Sequence, residues 1–553
     1  MKWITRPAAG LIRAAADYLF ATGHLDAARR WVEWGLEQAP DDGELWRLRG
    51  ALLLQAAGAA ASAHAQRDAD TCIADAHAAY AKAESLCLDD AEIWREHALV
   101  LQNLARTLPE PSDAEERAAI LRQAVERYDR VVAAQPRRAD VLHERALALA
   151  ALHEETPAHE AVAGLQRSLE DLDRSLELRP HAPDAVQHRA QIASALASLH
   201  QRSGRRAAEI RLRRLCLSDC ARALRDRPGW QAPLLLRAVE ATRLARLGDT
   251  PAERTDEAIA AASEVLADQP RNVAAALIRA DARVAAACAL RARNDARASL
   301  VWRQALADLA TAEAAAGIRE VEVVATTRAS AWVEWGDVLE RAGERQAAVD
   351  AWGQALAMYD RVVDDDPTDT SRLFGRAGTH LRLSEIGETD HLPKALDDFD
   401  QARTQAPNNP AILAGLAEAQ RLAATDAEGL AQALASAAQA LNAAPDHPAA
   451  RAARRHSLLA AALQGEHPDP DVLESALQEC RWAVGGRPDD PRARYDLACA
   501  LFLSGRTVEA HTALEHALTA APGLRRRAAQ DPVWQPVVSE DGFRRLLEEP
   551  AAE

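Results

Sequence analysis

A proline recurs at the end of one predicted helical segment after another, and this recurrence limits the possible folds more than anything else in the chain. Proline lacks a backbone N–H and clashes with the preceding turn, so each of these residues marks a helix end. Pro488 and Pro522 lie 34 residues apart, and the other intervals are wider. Such regular punctuation predicts an array of helix pairs rather than separate globular domains. The markers are Pro40, Pro136, Pro180, Pro228, Pro270, Pro367, Pro407, Pro445, Pro488 and Pro522.

The composition favours closely packed helices. Hydrophobic residues make up 48 % of the chain but aromatic residues only 4 %, and alanine and leucine supply most of the apolar content. Alanine has the highest helix propensity and lets helix axes approach each other. A β-rich fold needs more β-branched and aromatic residues than are present. We therefore expect an all-α protein.

The last interval carries a residue pattern that identifies the repeat. Positions on the first predicted helix run large, small, large, followed by a turn, a second helix with small, large, small positions, and the closing proline. This pattern resembles the tetratricopeptide (TPR) repeat. Its residues are Leu497, Ala498, Leu501, Gly505, Ala510, Leu514, Ala517 and Pro522, and the same pattern recurs as Trp332, Trp335, Gly336, Leu339, Gly343, Ala348, Trp352 and Ala355.

The resemblance implies a right-handed α-solenoid of about twelve TPR-like helix pairs with a C-terminal capping helix. Residues 525–553 break the period and are similar to the tail of many bacterial TPR proteins, so we expect Trp534 and Phe543 to cover the last pair. Most repeats are longer than 34 residues, and we expect the extra residues to lengthen the helices or the turn between them. The predicted units within 1–524 are 9–42, 43–90, 91–138, 139–182, 183–230, 231–272, 273–328, 329–369, 370–409, 410–447, 448–490 and 491–524.

The predicted binding surface is the concave face that first helices line in TPR proteins. Its expected lining is polar and acidic in the early pairs, apolar in the sixth and seventh, and acidic again near Trp332. A partner of basic and apolar character fits this lining. The arrangement of Lys, Asn and Arg with which some TPR domains clamp a C-terminal carboxylate is not found. The predicted partner-binding residues are Glu92, Arg95, Glu96, His143, Glu144, Leu235, Leu236, Val239, Leu277, Ile278, Glu334 and Asp337.

An Arg-Ala pair recurs at one position of the first helices. A ladder of arginines could bind an anionic partner, but such an arginine is better explained by a stem that covers apolar surface and a head that reaches a neighbouring acid. These arginines are Arg145, Arg189, Arg237, Arg279 and Arg376.

Motifs for catalysis, cofactors or metals are not apparent. Cys216 and Cys220 lie four residues apart, but they fall on core positions of a second helix, and cysteine is among the most buried residue types. No Gly-Lys dipeptide occurs, which excludes a phosphate-binding P-loop. We therefore expect no enzyme activity, no cofactor and no metal.

The charge of the chain limits its partners. A formal net charge of −17 opposes binding to nucleic acid or to an anionic membrane. Scattered cysteines, and a start without a signal-peptide pattern, favour the cytoplasm. The leading hypothesis is a non-catalytic scaffold or adaptor for a protein or peptide partner. The alternative is a regulatory subunit that wraps and gates a separately encoded protease, nuclease or ATPase. The sequence leaves the oligomeric state open.

Overall fold

The computed structural model shows only helices and their connections in the part of the chain that it describes, which confirms the all-α prediction. The described residues are 6–62, 65–87, 89–108, 114–154, 156, 158–317, 320–464, 469–486, 488 and 490–547. No described helix is both long enough and apolar enough to cross a bilayer.

The helices form two compact units, which contain the twelve expected helix pairs. Unit 1 consists of the residues up to Leu199 together with Ser218–Arg227, and unit 2 of His200–Leu217 and the residues from Pro228 onward. The helices in unit 1 are α1 Arg6–Ala21, α2 Leu25–Gln38, α3 Gly43–Ser62, α4 Gln66–Leu86, α5 Ala91–Thr107, α6 Ala114–Ala134, α7 Ala139–Glu154 and α8 Ala158–Leu178. Helices α9 Pro183–Arg202 and α10 Arg206–Asp226 contribute to both units.

Unit 2 continues the alternation of first and second helices and ends in a shorter segment. Its pairs are α11 Gln231–Arg246 and α12 Pro251–Asp268, α13 Val273–Ala292 and α14 Ala298–Ala315, α15 Val321–Arg341 and α16 Arg345–Asp365, α17 Thr370–Glu385 and α18 Leu392–Gln405, α19 Pro410–Ala423 and α20 Ala427–Ala443, α21 Pro448–Ala462 and α22 Pro470–Gly486, and α23 Pro491–Leu503 and α24 Thr507–Ala520. A 3-10 turn, Thr389–His391, precedes α18. The terminal segment consists of α25 Leu524–Gln530, a 3-10 helix Pro532–Val537 and α26 Asp541–Leu547.

The proline markers behave as predicted. Every one of them lies two residues beyond the last residue of a second helix, as Pro40 does after Gln38 and Pro522 after Ala520. Several first helices then begin at a capped residue: the Asp90 side chain accepts hydrogen bonds from the backbone N–H groups of Glu92 and Ile93. A proline after one helix and an Asp or Asn before the next therefore set several of the boundaries between pairs, as Pro407 and Asn409 do.

One predicted boundary is wrong. The limit between units 273–328 and 329–369 falls inside α15, which begins at Val321. The preceding helix α14 ends without a proline marker, and the sequence signal of its end is Gly317, the residue after the C-cap Ala316. Val324, in the first turn of α15, is buried, which explains why the helix extends this far.

The extra residues of the long repeats lengthen helices. Helices α3 and α4 have 20 and 21 residues, whereas α23 and α24 of the 34-residue repeat have 13 and 14. The predicted insertion at 246–257 is mostly helical, because α12 already begins at Pro251. The insertions at 106–115 and 464–471 lie partly outside the described residues.

The core follows the predicted alternation of small and large side chains. Gly336 on α15 faces the Trp352 ring of α16, and a Cβ atom at Gly336 would lie 2.5 Å from the indole Nε1. Gly50 meets Tyr80, and Gly415 meets Phe399, in the same way. At the C-terminus, Trp534 and Phe543 are completely buried in one core cluster with Leu514, which confirms the predicted cap.

Candidate functional site

The recurrent arginines of the first helices are engaged within the fold. Arg145 of α7 binds both carboxylate oxygens of Asp171 on α8, at 2.7 and 2.6 Å, and also reaches Asp129 on α6 at 2.7 Å. Arg189 joins Asp173 and Asp219 across three successive helices in the same way. Bidentate pairing of this kind is geometrically specific, so this ladder fastens each pair to the one before it.

The other members of the ladder, in unit 2, also bind acids, and Arg376 again joins its pair to the preceding one. Arg279 is bidentate to Asp308, and Arg376 is bidentate to Asp398 and reaches Asp360. Arg237 binds Glu257 at 2.7 Å. The prediction that each guanidinium group binds a neighbouring acid is therefore confirmed. These five arginines are not free to bind an anionic partner.

The predicted binding residues of unit 1 lie on adjacent first helices and contact each other. Arg95 of α5 binds Glu92 on its own helix and Glu144 of α7, both at 2.8 Å. Glu96 accepts a hydrogen bond from the Tyr80 hydroxyl at 3.1 Å. His143 pairs with His188, with 2.7 Å between their ring nitrogens. These acids thus already have donors from the protein.

The electrostatics of Glu92 show the effect of this pairing. Burial alone would raise the pKa of its carboxyl, but hydrogen bonds from Arg138 and Arg95 bring that pKa below its ordinary value. The carboxylate is therefore stabilised as an anion by neighbouring arginines, and it does not depend on a partner for its counter-charge.

The predicted residues of unit 2 divide into an apolar and an acidic group. Leu277 is half-buried and packs against the core cluster that contains Trp335. Both acids are paired, Glu334 with Arg246 at 2.8 Å and Asp337 with Arg382 at 2.7 Å. The remaining apolar positions are half-buried: Leu235, Leu236, Val239 and Ile278. Their binding role stays a prediction.

A large cavity lies in unit 2 and was not predicted. Its volume is about 1130 Å³, and first helices α15, α17, α19, α21 and α23 contribute to its wall together with α25. We call it the arginine cavity. Its charged lining residues are Glu340, Glu344, Arg345, Arg382, Glu385, Arg421, Arg492, Asp496, Arg525, Arg526, Arg527 and Asp531, and its apolar ones include Ile386, Leu422, Leu459, Leu463 and Val533.

The terminal segment closes this cavity against α15. The backbone N–H of Gly523 donates to the carbonyl oxygen of Arg341 at 3.1 Å, and Arg492 binds Glu340 at 3.0 Å. A Cβ atom at Gly523 would lie 2.1 Å from the Glu340 carbonyl oxygen, so only glycine permits this approach. The cap therefore forms part of the cavity wall besides covering the last helix pair.

Four of the lining arginines have acidic partners. Arg382 binds Asp337, Arg421 binds Glu418 at 2.9 Å, Arg492 binds Glu340, and Arg345 reaches Glu388 at 3.4 Å. The side chain of Arg492 nevertheless keeps 46 % of its surface accessible, as expected for a group that faces an open cavity.

The three arginines of α25 differ from these four. Among the described residues, no carboxylate lies within ion-pair distance of Arg525, Arg526 or Arg527. Burial would lower the pKa of Arg527, but the nearby carboxylates of Asp496, Glu385 and Asp531 raise it, so Arg527 is partly compensated whereas Arg525 and Arg526 are not. The Nε atom of Arg525 is buried and has no hydrogen-bond acceptor there. Arg527 lies over the Tyr495 ring, with 5.2 Å from its guanidinium carbon to the ring centroid. The unpaired cations of the cavity are thus concentrated on one short helix.

A buried charge network forms part of the cavity wall. His456 bridges the carboxylates of Glu418 and Asp496, with 2.9 Å from its Nε2 to Asp496. Burial would lower the pKa of His456, but the two carboxylates raise it above its ordinary value. Burial would likewise raise the pKa of Glu418, but His456 and Arg421 lower it to about 2. These groups compensate one another and hold α19, α21 and α23 together.

Five of the seven cysteines are buried. Cys216 and Cys220 are completely buried, as the core interpretation predicted. Cys499 lines the arginine cavity, and burial together with Asp531 raises the pKa of its thiol well above the ordinary value. Such a thiol is a poor nucleophile. Within the described part of the chain, no group of three His, Cys, Asp or Glu side chains could hold a metal ion.

One feature of the sequence does indicate this cavity. The run Leu524-Arg525-Arg526-Arg527 follows directly after the last proline marker, within the segment for which only a capping role was predicted. Three successive arginines next to a buried cap are unusual for a purely structural segment, and they indicate a charged surface.

Comparisons with known proteins found similar chains only among solved structures. No protein-family model and no curated protein matches the chain. Similar solved structures include yeast Tom70 (12 % identity, TM-score 0.42, covering 96 % of this chain and 99 % of that one). A thermophilic TPR protein of Thermus thermophilus, TTC0263, has 26 % identity and a TM-score of 0.27, with 35 % of this chain and 97 % of that one covered. A TPR protein of Parabacteroides merdae has 15 % identity and a TM-score of 0.31, with 56 % and 93 % covered. Each unit is built of consecutive packed helix pairs, which is the all-α, TPR-like arrangement that the repeat pattern predicted.

Proposed function

We propose that this protein is a non-catalytic scaffold whose arginine cavity holds a segment of a protein partner. The observation that carries the proposal is the cavity itself, since first helices of five repeats and the C-terminal segment build its wall. A cavity of about 1130 Å³ exceeds the range of about 300–1,000 Å³ that is usual for small-molecule sites.

The lining has the mixed character that peptide recognition requires. Ile386, Leu422 and Leu459 supply apolar surface, and arginines from α17, α19, α23 and α25 supply directional donors. Apolar contacts give affinity to such a site, while a small number of polar groups fix the register of the bound chain. A rigid wall of stacked helices also lowers the entropic cost of binding, because the site is already formed.

A cavity-filling variant tests the proposal. Ala460 is half-buried and lines the cavity, so Ala460→Trp should obstruct it. Val508 on α24 is 80 % exposed and outside the lining, so Val508→Trp is the matched control. Both variants and the wild type are tagged and used to capture partners from host lysate, after circular dichroism has shown equal helicity.

We expect a stoichiometric protein partner to be captured by the wild type and by Val508→Trp and to be lost from Ala460→Trp. Equal capture by all three proteins would refute binding in the cavity. A captured partner with a catalytic domain, whose activity changes when this protein is added, would identify the scaffold as a regulatory subunit.

A further inference from the structure

The geometry points to an acidic peptide segment as the occupant of the arginine cavity, with its carboxylates bound by Arg525, Arg526 and Arg527. This inference rests on the proposed function and adds the chemistry of the partner. It assigns to α25 a recognition role besides its role in the C-terminal cap.

The first argument is the pairing of charges in the wall. Arginines that come from the repeats are already bound by acids, as Arg382 is by Asp337. Arg525 and Arg526 of α25 have no such partner among the described residues, and the buried Nε of Arg525 lacks an acceptor. Buried donors in proteins are nearly always satisfied. A carboxylate of a bound peptide would supply the missing acceptor, and a guanidinium binds it in a bidentate way.

The second argument is the balance of charge in the cavity. The lining holds seven arginines against five carboxylates, although the whole chain has a net charge of −17. Three of these arginines and two of the carboxylates, Glu385 and Asp531, form no ion pair with a described residue. Glu385 and Asp531 interact with Arg527, so the remaining positive charge lies on Arg525 and Arg526. Concave, low-dielectric walls concentrate such a field and attract anions. A basic segment would be repelled here.

The basis for expecting a basic partner also weakens in unit 2. That expectation relied on Glu334 and Asp337, which are neutralised by Arg246 and Arg382. Acidic residues on the first helices are therefore no guide to the charge that this cavity selects. The apolar wall around Leu422 and Leu459 indicates that the acidic segment also carries apolar side chains.

A peptide fits this cavity better than a nucleic acid does. Recognition of single strands relies on aromatic rings on which bases stack. The tryptophan and the tyrosine of the lining, Trp352 and Tyr495, are only 2 % and 1 % exposed, so neither offers a free ring face. The strongly negative chain also repels a long phosphate backbone.

Binding of a fluorescein-labelled oligoglutamate peptide tests the inference by fluorescence anisotropy on the full chain. Oligoglutamine of the same length is the neutral probe, and a single-stranded oligonucleotide is the phosphate probe. The variants are Arg525→Gln/Arg527→Gln and, since Arg527 contacts Tyr495, also Arg526→Gln alone. Arg303→Gln/Arg361→Gln removes the same charge from exposed positions of unit 2 and is the matched control.

We expect oligoglutamate to bind the wild type and the control variant alike, with affinity that falls as salt is raised. The Arg525→Gln/Arg527→Gln variant should bind at least about tenfold more weakly, and Arg526→Gln should be intermediate, because charge-assisted hydrogen bonds are lost.

An equal loss of oligoglutamate affinity in the control variant would show non-specific attraction and overturn the inference. Tighter binding of the oligonucleotide, lost in the same variant, would replace the peptide by a nucleic acid. If Ala460→Trp abolishes partner capture but oligoglutamate does not bind, the proposed function stands and only the acidic chemistry is refuted.

Discussion

The close approach of α15 to α16 at Gly336 can be tested with a single methyl group. In Gly336→Ala the new Cβ would lie 2.5 Å from Nε1 and 2.6 Å from Cδ1 of Trp352. The indole cannot move freely, because it is buried and its N–H is shared between the Val333 carbonyl at 3.3 Å and Asp337 at 3.1 Å. A Cβ atom at Gly353 on α16 would have no neighbouring atom within 4 Å, so Gly353→Ala is a control in the same helix pair.

The two substitutions should change stability in opposite directions. Replacing a helical glycine by alanine gains about 1 kcal/mol from helix propensity, and Gly353→Ala should show this gain alone. Gly336→Ala has the same gain, but overpacking costs about 1–3 kcal/mol and a weakened indole hydrogen bond about 1 kcal/mol. We therefore expect Gly336→Ala to be destabilised by about 1–3 kcal/mol.

Native-state hydrogen exchange is the suitable assay, because a long repeat array does not unfold in two states and has no single free energy of unfolding. Amides of α15 and α16 should exchange about 5- to 100-fold faster in Gly336→Ala and about fivefold slower in Gly353→Ala, at about 1.4 kcal/mol per factor of ten. Slower exchange in both variants would show that Trp352 does not pack closely on Gly336, and it would refute the idea that glycine sets the distance between these helices.

Two further predictions concern buried charges in unit 1. Arg145→Met leaves Asp171 buried without its partner and should destabilise α7 and α8 by about 3–5 kcal/mol. The double variant Arg145→Met/Asp171→Leu should recover most of that loss. Equal rates of hydrogen exchange in the single and double variants would contradict this. Burial and Arg127 hold the pKa of His97 at about 4, against an ordinary value of 6.5, although Glu84 opposes them. Because this folded-state pKa is depressed, the histidine favours folding above pH 6.5, and that contribution is lost as the pH falls toward 4, by about 3 kcal/mol. Thermal unfolding of the wild type should therefore lose stability over this range relative to His97→Gln, and parallel curves would disprove the role of His97.

The parts of the fold that depend on local chemistry could be predicted from the sequence. A proline two residues beyond each of ten second helices, and small residues at Gly336 and Ala348, were sufficient to predict the pairs and their closest contacts. The boundary at α15 was placed wrongly, because α14 ends without such a proline and the local signal of its end is a single glycine, Gly317. The start of α15 at Val321 also depends on tertiary packing, since Val324 is buried.

The candidate site depends on contacts that a repeat pattern does not contain. The sequence shows which positions of the predicted groove are acidic. It does not show their arginine partners, because these lie far along the chain, as Arg95 does from Glu144. The arginine cavity exists because Gly523 meets Arg341 and Arg492 meets Glu340, at separations that no periodicity reveals. The repeat pattern therefore predicts the helices that form the wall of this cavity but not the contacts that close it.

Site-specific photo-crosslinking tests whether a partner segment lies inside the arginine cavity. A benzoylphenylalanine is placed at Leu422, which lines the cavity and is half-buried, or at Val508 on the exposed surface of α24. After irradiation in host lysate, the cross-linked peptides are sequenced by mass spectrometry. We expect that Leu422 captures one partner segment that is rich in Asp and Glu, and that Val508 captures none of it. Capture of the same partner from Val508 alone would place its binding site outside the cavity and contradict the proposed function.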